Sequence, residues 1–76
     1  MKKAYIFLAN GHEEVEALMV VDLLRRAGLD ISTVSITDSK MVTSSHNVTY
    51  EADLLFSEVA RNLVDLVVLP GGIPGT

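Results

Sequence analysis

The order of apolar segments constrains this chain most: a continuous apolar run over residues 4–9 (Ala-Tyr-Ile-Phe-Leu-Ala) leads through turn residues into a long amphipathic stretch, and a second β-prone run follows. A run that is apolar at every position, instead of alternating, belongs to a strand covered on both faces, as in a parallel sheet. Residues 13–27 read as a helix. Gly28 suits the left-handed position after its last turn, and Arg25 and Arg26 favour the negative end of its dipole. Residues 30–36 read as a second strand, so the strand-helix-strand order demands a right-handed parallel crossover and an α/β class.

Further along, residues 37–40 read as a turn, and residues 41–44 and 47–51 as a small hairpin appended to the sheet. Residues 54–63 place Leu55, Val59 and Leu63 at four-residue spacing, which predicts a short amphipathic helix. Residues 64–69 read as another buried strand, with the turn Pro70-Gly71-Gly72-Ile73-Pro74-Gly75 at its carboxyl end. No internal repeat or linker divides the chain, so these 76 residues are at most one domain. A chain of this length buries only about 60% of the surface its unfolded form exposes. Yet 49% of the residues are hydrophobic and the mean hydropathy is +0.35. That excess implies a partner layer supplied from elsewhere.

Charge narrows the function classes. Six Lys+Arg against ten Asp+Glu give a net charge of −4 and an isoelectric point near 4.9, which excludes a polyanion such as nucleic acid as ligand. There is no cysteine, hence no disulfide, thiolate metal site or thiol nucleophile within these residues. The apolar run at residues 4–9 is too short for a signal peptide or a membrane span, so a cytoplasmic chain with no membrane partner is expected, its Asn47-Val48-Thr49 sequon unglycosylated.

Placing residues about 100° apart around the first helix gathers Leu23, Glu16, Ala27, Val20, Leu24, Ala17 and Val21 into one arc of about 160°. Glu16 is the lone carboxylate on that arc. One turn into a helix that follows a strand, it lies near the carboxyl edge of the sheet, where open α/β sheets bind ligands. Burial there would raise its pKa and leave it able to donate a hydrogen bond or move a proton. The alternative is that Glu13, Glu14 and Glu16 all remain solvated and simply favour the positive end of the helix dipole. Val15, Leu18 and Met19 make the opposite side of the helix apolar as well, as a dimer interface would.

Other constellations are weaker. The turn Asn10-Gly11-His12-Glu13-Glu14 has a single glycine and adjacent carboxylates, which oppose a phosphate. His12 and Glu16 stand four apart, but two ligands make no metal site; no metal or cofactor is expected. His12 reads as a loop residue and His46 as a solvated residue of the hairpin turn. Gly71 and Gly72, lacking a Cβ, let backbone amides approach a ligand and form an oxyanion hole; an ordinary turn is the plainer alternative.

Three motifs in order, Ala-Asn-Gly-His-Glu-Glu-Val-Glu-Ala (9–17), Val-Asp-Leu-Leu-Arg-Arg-Ala-Gly (21–28) and Val-Val-Leu-Pro-Gly-Gly-Ile-Pro-Gly (67–75), resemble the ThiJ/PfpI superfamily. The similarity is to the branch that contains the Parkinson-disease-associated protein deglycase and bacterial ThiJ-like proteins, and it covers essentially the whole chain. It implies a flavodoxin-like parallel-sheet sandwich of the class I glutamine-amidotransferase type, usually a homodimer. Residues 1–76 would then be the N-terminal part of a single domain that continues beyond residue 76.

The resemblance also implies a site. Glu16 matches the glutamic acid that hydrogen-bonds a catalytic cysteine thiolate, and Gly71 and Gly72 match the turn that helps form the oxyanion hole. His46 falls where relatives often carry an arginine reaching toward the partner subunit's site. The cysteine belongs to a later segment, so the remainder of the polypeptide is an expected partner. The implied activity is cofactor-independent glyoxalase or protein deglycase chemistry on small reactive carbonyls. Two alternatives share the site: a redox-regulated stress chaperone and an intracellular protease or amidase-type hydrolase.

Overall fold

The computed structural model describes residues 2–59 and 64–70. Strand β1 (Lys3–Leu8) is followed by helix α1 (Glu14–Arg26), strand β2 (Asp30–Ser35) and a hairpin of β3 (Met41–Thr43) and β4 (Thr49–Glu51). Strand β5 (Leu54–Leu55), a 3-10 turn (Phe56–Glu58) and strand β6 (Leu66–Val68) complete the order. The four strands of the main sheet run parallel in the order β5-β2-β1-β6, and β3 and β4 pair antiparallel as a separate two-stranded sheet.

Alternation along β1 sends Ala4, Ile6 and Leu8 to the face covered by α1. There they meet Ala17 and Val21 of the helix, Ile31 of β2, and Val42 and Ala52 from the hairpin region in one core. Both ends of α1 are closed locally. Glu13 caps the start, its Oε1 accepting from the Val15 amide at 2.9 Å. At the other end Gly28, at φ +90°, lets its own amide reach Arg25 O at 3.1 Å and that of Leu29 reach Leu24 O at 3.0 Å. Arg25 bonds Ile31 O at 3.1 Å and lies 3.5 Å from Asp53, whose carboxylate takes the Thr33 amide at 3.0 Å. The helix end, β2 and the approach to β5 are thereby tied together.

Two expectations change. Residues 54–63 do not begin a helix: Leu54 and Leu55 pair with Val34 and Ser35 as β5, and a 3-10 turn follows. The edge of β2 offers unpaired backbone groups, and Glu58 Oε1 takes the Leu55 amide at 2.8 Å, so local apolar spacing loses to sheet pairing. The predicted continuation through Leu63 lies outside the described residues. The run at 64–69 does form a strand beside β1, but Leu66, Val67 and Leu69 are exposed: β6 is the edge strand, Val67 lies on the face opposite α1, and the helix packs mainly on β1 and β2. On the other face, Tyr5, Phe7, Phe56, Val59, Val64 and Val67 line an open apolar hollow of about 320 Å³. Phe7 and Phe56 meet there edge to face at 5.7 Å. No described helix is long and apolar enough to cross a membrane.

Candidate functional site

The strand order places the site. From β1 the chain crosses to β2 on one side, whereas β6 joins β1 on the other, so the carboxyl ends of β1 and β6 flank a switch in topology. Open α/β sheets bind ligands in such crevices. The turn over residues 9–13, the first turn of α1 and the carboxyl end of β6 lie at that edge; Gly71 and Gly72 lie outside the described residues.

The three glutamates of this turn do not divide as the helical projection predicts. Glu16 is exposed, whereas the side chains of Glu13 and Glu14 are only 22% and 13% exposed. The sheet meets α1 along Ala17 and Val21, which puts Glu16 on the rim of the buried stripe, exposed as Leu23 is. Glu14 is enclosed instead by the hairpin. His46 Nδ1 lies 2.8 Å from Glu14 Oε2 and 3.8 Å from Glu13 Oε2. Burial pushes the Glu14 carboxyl up, but hydrogen bonds from Ser44, its own backbone amide and His46, with the charge of His46, outweigh it and hold the group at about 2. The hydrogen bond to Glu14, then the charges of Glu14 and Glu13, raise the pKa of His46.

His46 is therefore exposed, as expected of a hairpin turn, yet engaged by an ion pair. Glu13, Glu14 and His46 each bring one donor atom within 4.8 Å of the others. Glu13 already caps the helix, and the trio sits at the positive end of the α1 dipole, so the arrangement reads as an ion pair and not as a cation cage. His12 is not free to join Glu16 on a metal, because both its ring nitrogens are engaged by protein groups.

The sequence reading undervalues His12. It is completely buried, with Nδ1 2.7 Å from Ala9 O and Nε2 on the hydroxyl of Tyr50. A carbonyl only accepts, so Nδ1 carries the proton and Nε2 takes the Tyr50 O–H. Burial, then the charge of Glu14, pushes the Tyr50 phenol up to about 12. Further bonds fasten the hairpin to the same turn: Gly11 N to Thr43 O at 2.8 Å, Thr43 N to Asn10 Oδ1 at 3.0 Å and Ser45 N to His12 O at 2.8 Å. The only sequence signal for this was a histidine directly before a helix cap. Val15, Leu18 and Met19 are exposed, as the second apolar side of α1 requires.

Fold and strand order together define a parallel α/β domain whose topological switch lies at the β1–α1 turn. Residues 2–76 match the model of the DJ-1/PfpI family, and the chain belongs to that family. It is 39% identical over 74 residues to protein DJ-1 homolog B of Arabidopsis thaliana, covering 97% of this chain and 17% of that protein. It is 33% identical over 70 residues to a deglycase of Thermococcus kodakarensis, covering 92% of this chain and 42% of the relative. Toxoplasma gondii DJ-1, solved in an oxidized form, superposes with a TM-score of 0.91 at 36% identity, over 97% of this chain and 40% of that one. The chain thus spans less than half the length of these relatives.

Proposed function

We propose that this chain is the N-terminal part of a single DJ-1/PfpI domain that acts on small reactive carbonyls, as a glyoxalase or protein deglycase. The observation that carries the reading is the position of Glu16, on the rim of α1's buried stripe, in the first turn of the helix that starts at the ligand crevice. In this scheme a cysteine from the remainder of the polypeptide adds to the carbonyl carbon, and Glu16 hydrogen-bonds its sulfur and moves a proton. Amides of the Gly71-Gly72 turn stabilise the oxyanion that forms. The deglycase of Thermococcus kodakarensis supports the substrate class. The remaining polypeptide would cover the apolar hollow and β6, and a second copy would cover Val15, Leu18 and Met19, with His46 near the junction. The expected compartment is the cytoplasm. Replacing Glu16 with Leu in the full-length protein should abolish methylglyoxal turnover, measured by loss of substrate; full retained turnover would refute the role.

A second reading is a redox-regulated stress chaperone, favoured by the oxidized form in which the Toxoplasma gondii relative was solved. Client protection from aggregation that depends on cysteine oxidation, without any carbonyl turnover, would select it.

A further inference from the structure

We infer that His12 and Tyr50 form a buried latch that positions Glu16. The inference rests on the role proposed for Glu16 above. His12 is the last of the four residues between the end of β1 and the cap of α1, and every polar atom it owns is engaged. Its amide and Nδ1 both donate to Ala9 O, at 3.2 Å and 2.7 Å. Its carbonyl accepts from Ser45 N at 2.8 Å, and Nε2 accepts from Tyr50 O–H. One side chain and its backbone thus join the carboxyl end of β1, the loop and second strand of the hairpin, and the start of the helix.

The arrangement does more than fill space. A hydrophobic residue of similar volume would occupy the same cavity but leave Ala9 O with only the backbone amide of residue 12 and deprive the Tyr50 hydroxyl of its ring partner, which is unfavourable. Among the described residues no buried side-chain nitrogen or oxygen lacks a partner, so the latch is fully satisfied as built. The rings also meet edge to face at 5.4 Å and 79°, which fixes the orientation of both. Because Glu13 follows His12 and caps α1, the backbone direction at His12 sets the rotation of the first turn about the helix axis. Glu16 stands in that turn, three residues past the cap. Loosening the latch would let the hairpin lift and the first turn rotate, displacing the Glu16 carboxyl from its place beside the crevice.

His12 and Tyr50 are positioning residues, and the test must separate positioning from general support. In the full-length protein, the rate at which iodoacetamide alkylates the site cysteine is followed against pH for the parent, Glu16→Gln and Tyr50→Phe. Glu16→Gln sets the scale by moving the midpoint of the profile upward. Tyr50→Phe keeps the ring and its edge-to-face contact but removes the hydroxyl. It should move the midpoint in the same direction and slow alkylation at neutral pH about tenfold, within the roughly hundredfold that a misplacement of about 1 Å costs. Amide hydrogen exchange at Gly11 and Ser45 should quicken in the same variant. His12→Gln, whose amide oxygen can reach the Tyr50 hydroxyl, should recover part of the parent profile where His12→Ala does not. If Tyr50→Phe does not fold, the comparison of His12→Gln with His12→Ala decides alone. An unmoved profile in Tyr50→Phe beside a shifted one in Glu16→Gln overturns the latch as a positioning device. An unmoved profile in Glu16→Gln itself sinks the proposed role of Glu16, and the latch inference with it.

Discussion

Replacing Gly28 with Ala tests the reasoning about how α1 ends. Gly28 sits at φ +90°, and a Cβ added there would meet nothing within 4 Å. Steric crowding therefore contributes nothing, and the effect reduces to two backbone terms. Holding an L-residue in the left-handed region costs about 1–2 kcal/mol. Against this, the alanine narrows the unfolded ensemble and returns about 0.4–1 kcal/mol. The net expectation is a destabilisation of about 1 kcal/mol. The bonds that close the helix, Leu29 N to Leu24 O and Gly28 N to Arg25 O, should survive, since the open space lets the backbone keep its course. Urea unfolding of the full-length protein measures the difference as a lower midpoint at an unchanged slope. Gly28→Asn should lose less, because its short polar side chain tolerates the left-handed conformation. A Gly28→Ala protein more stable than its parent would refute the assigned backbone conformation. A loss above about 3 kcal/mol would exceed both backbone terms and reveal a contact that the open space excludes.

Two further outcomes follow from the site and the core. The pKa of His46 is raised, so its contribution is complete below the ordinary value of 6.5 and disappears as pH rises through the raised one; Glu14 is lowered from 4.5 to about 2, so its contribution is complete above 4.5 and disappears as pH falls toward 2. The ion pair thus supports the hairpin most between about 4.5 and 6.5. An NMR titration of the His46 ring should find its midpoint falling toward the ordinary value in Glu14→Gln, and an unchanged midpoint would discount the pair. Ile6 is fully buried under α1. Ile6→Ala should destabilise by about 2–5 kcal/mol in chemical denaturation, and a loss under about 1 kcal/mol would mean the helix does not pack on β1.

Much of the scaffold was legible from local pattern. The helix expected at 13–27 appears as Glu14–Arg26 with Glu13 as its cap, and the strand expected at 30–36 appears as Asp30–Ser35. The hairpin expected from two half-polar segments forms with Met41 opposite Glu51, although as its own sheet. These elements close most of their hydrogen bonds within or beside themselves, so nearby residues suffice to specify them. The segment at 54–63 was misread because an apolar spacing of four also suits residues that enter a sheet edge. Only the edge of β2 decides between the two states.

The candidate site divides along the same line. Its location, at the turn between the first strand and the first helix, follows from the order of segments and the parallel crossover they demand. Which side chains are enclosed there does not. The helical projection gives each glutamate an angle but says nothing about what docks against it. Docking decides the outcome: a hairpin more than twenty residues downstream folds over the turn, encloses Glu14 through His46 and Ser44, and buries His12 against Tyr50. By itself, then, the sequence determined the strands, the capped helix, the parallel order and the crevice they create, because these depend on neighbours along the chain. Only the tertiary structure decided that Glu14 is enclosed while Glu16 stands on the rim, and that His12 is a buried hub, because burial is set by elements distant in sequence.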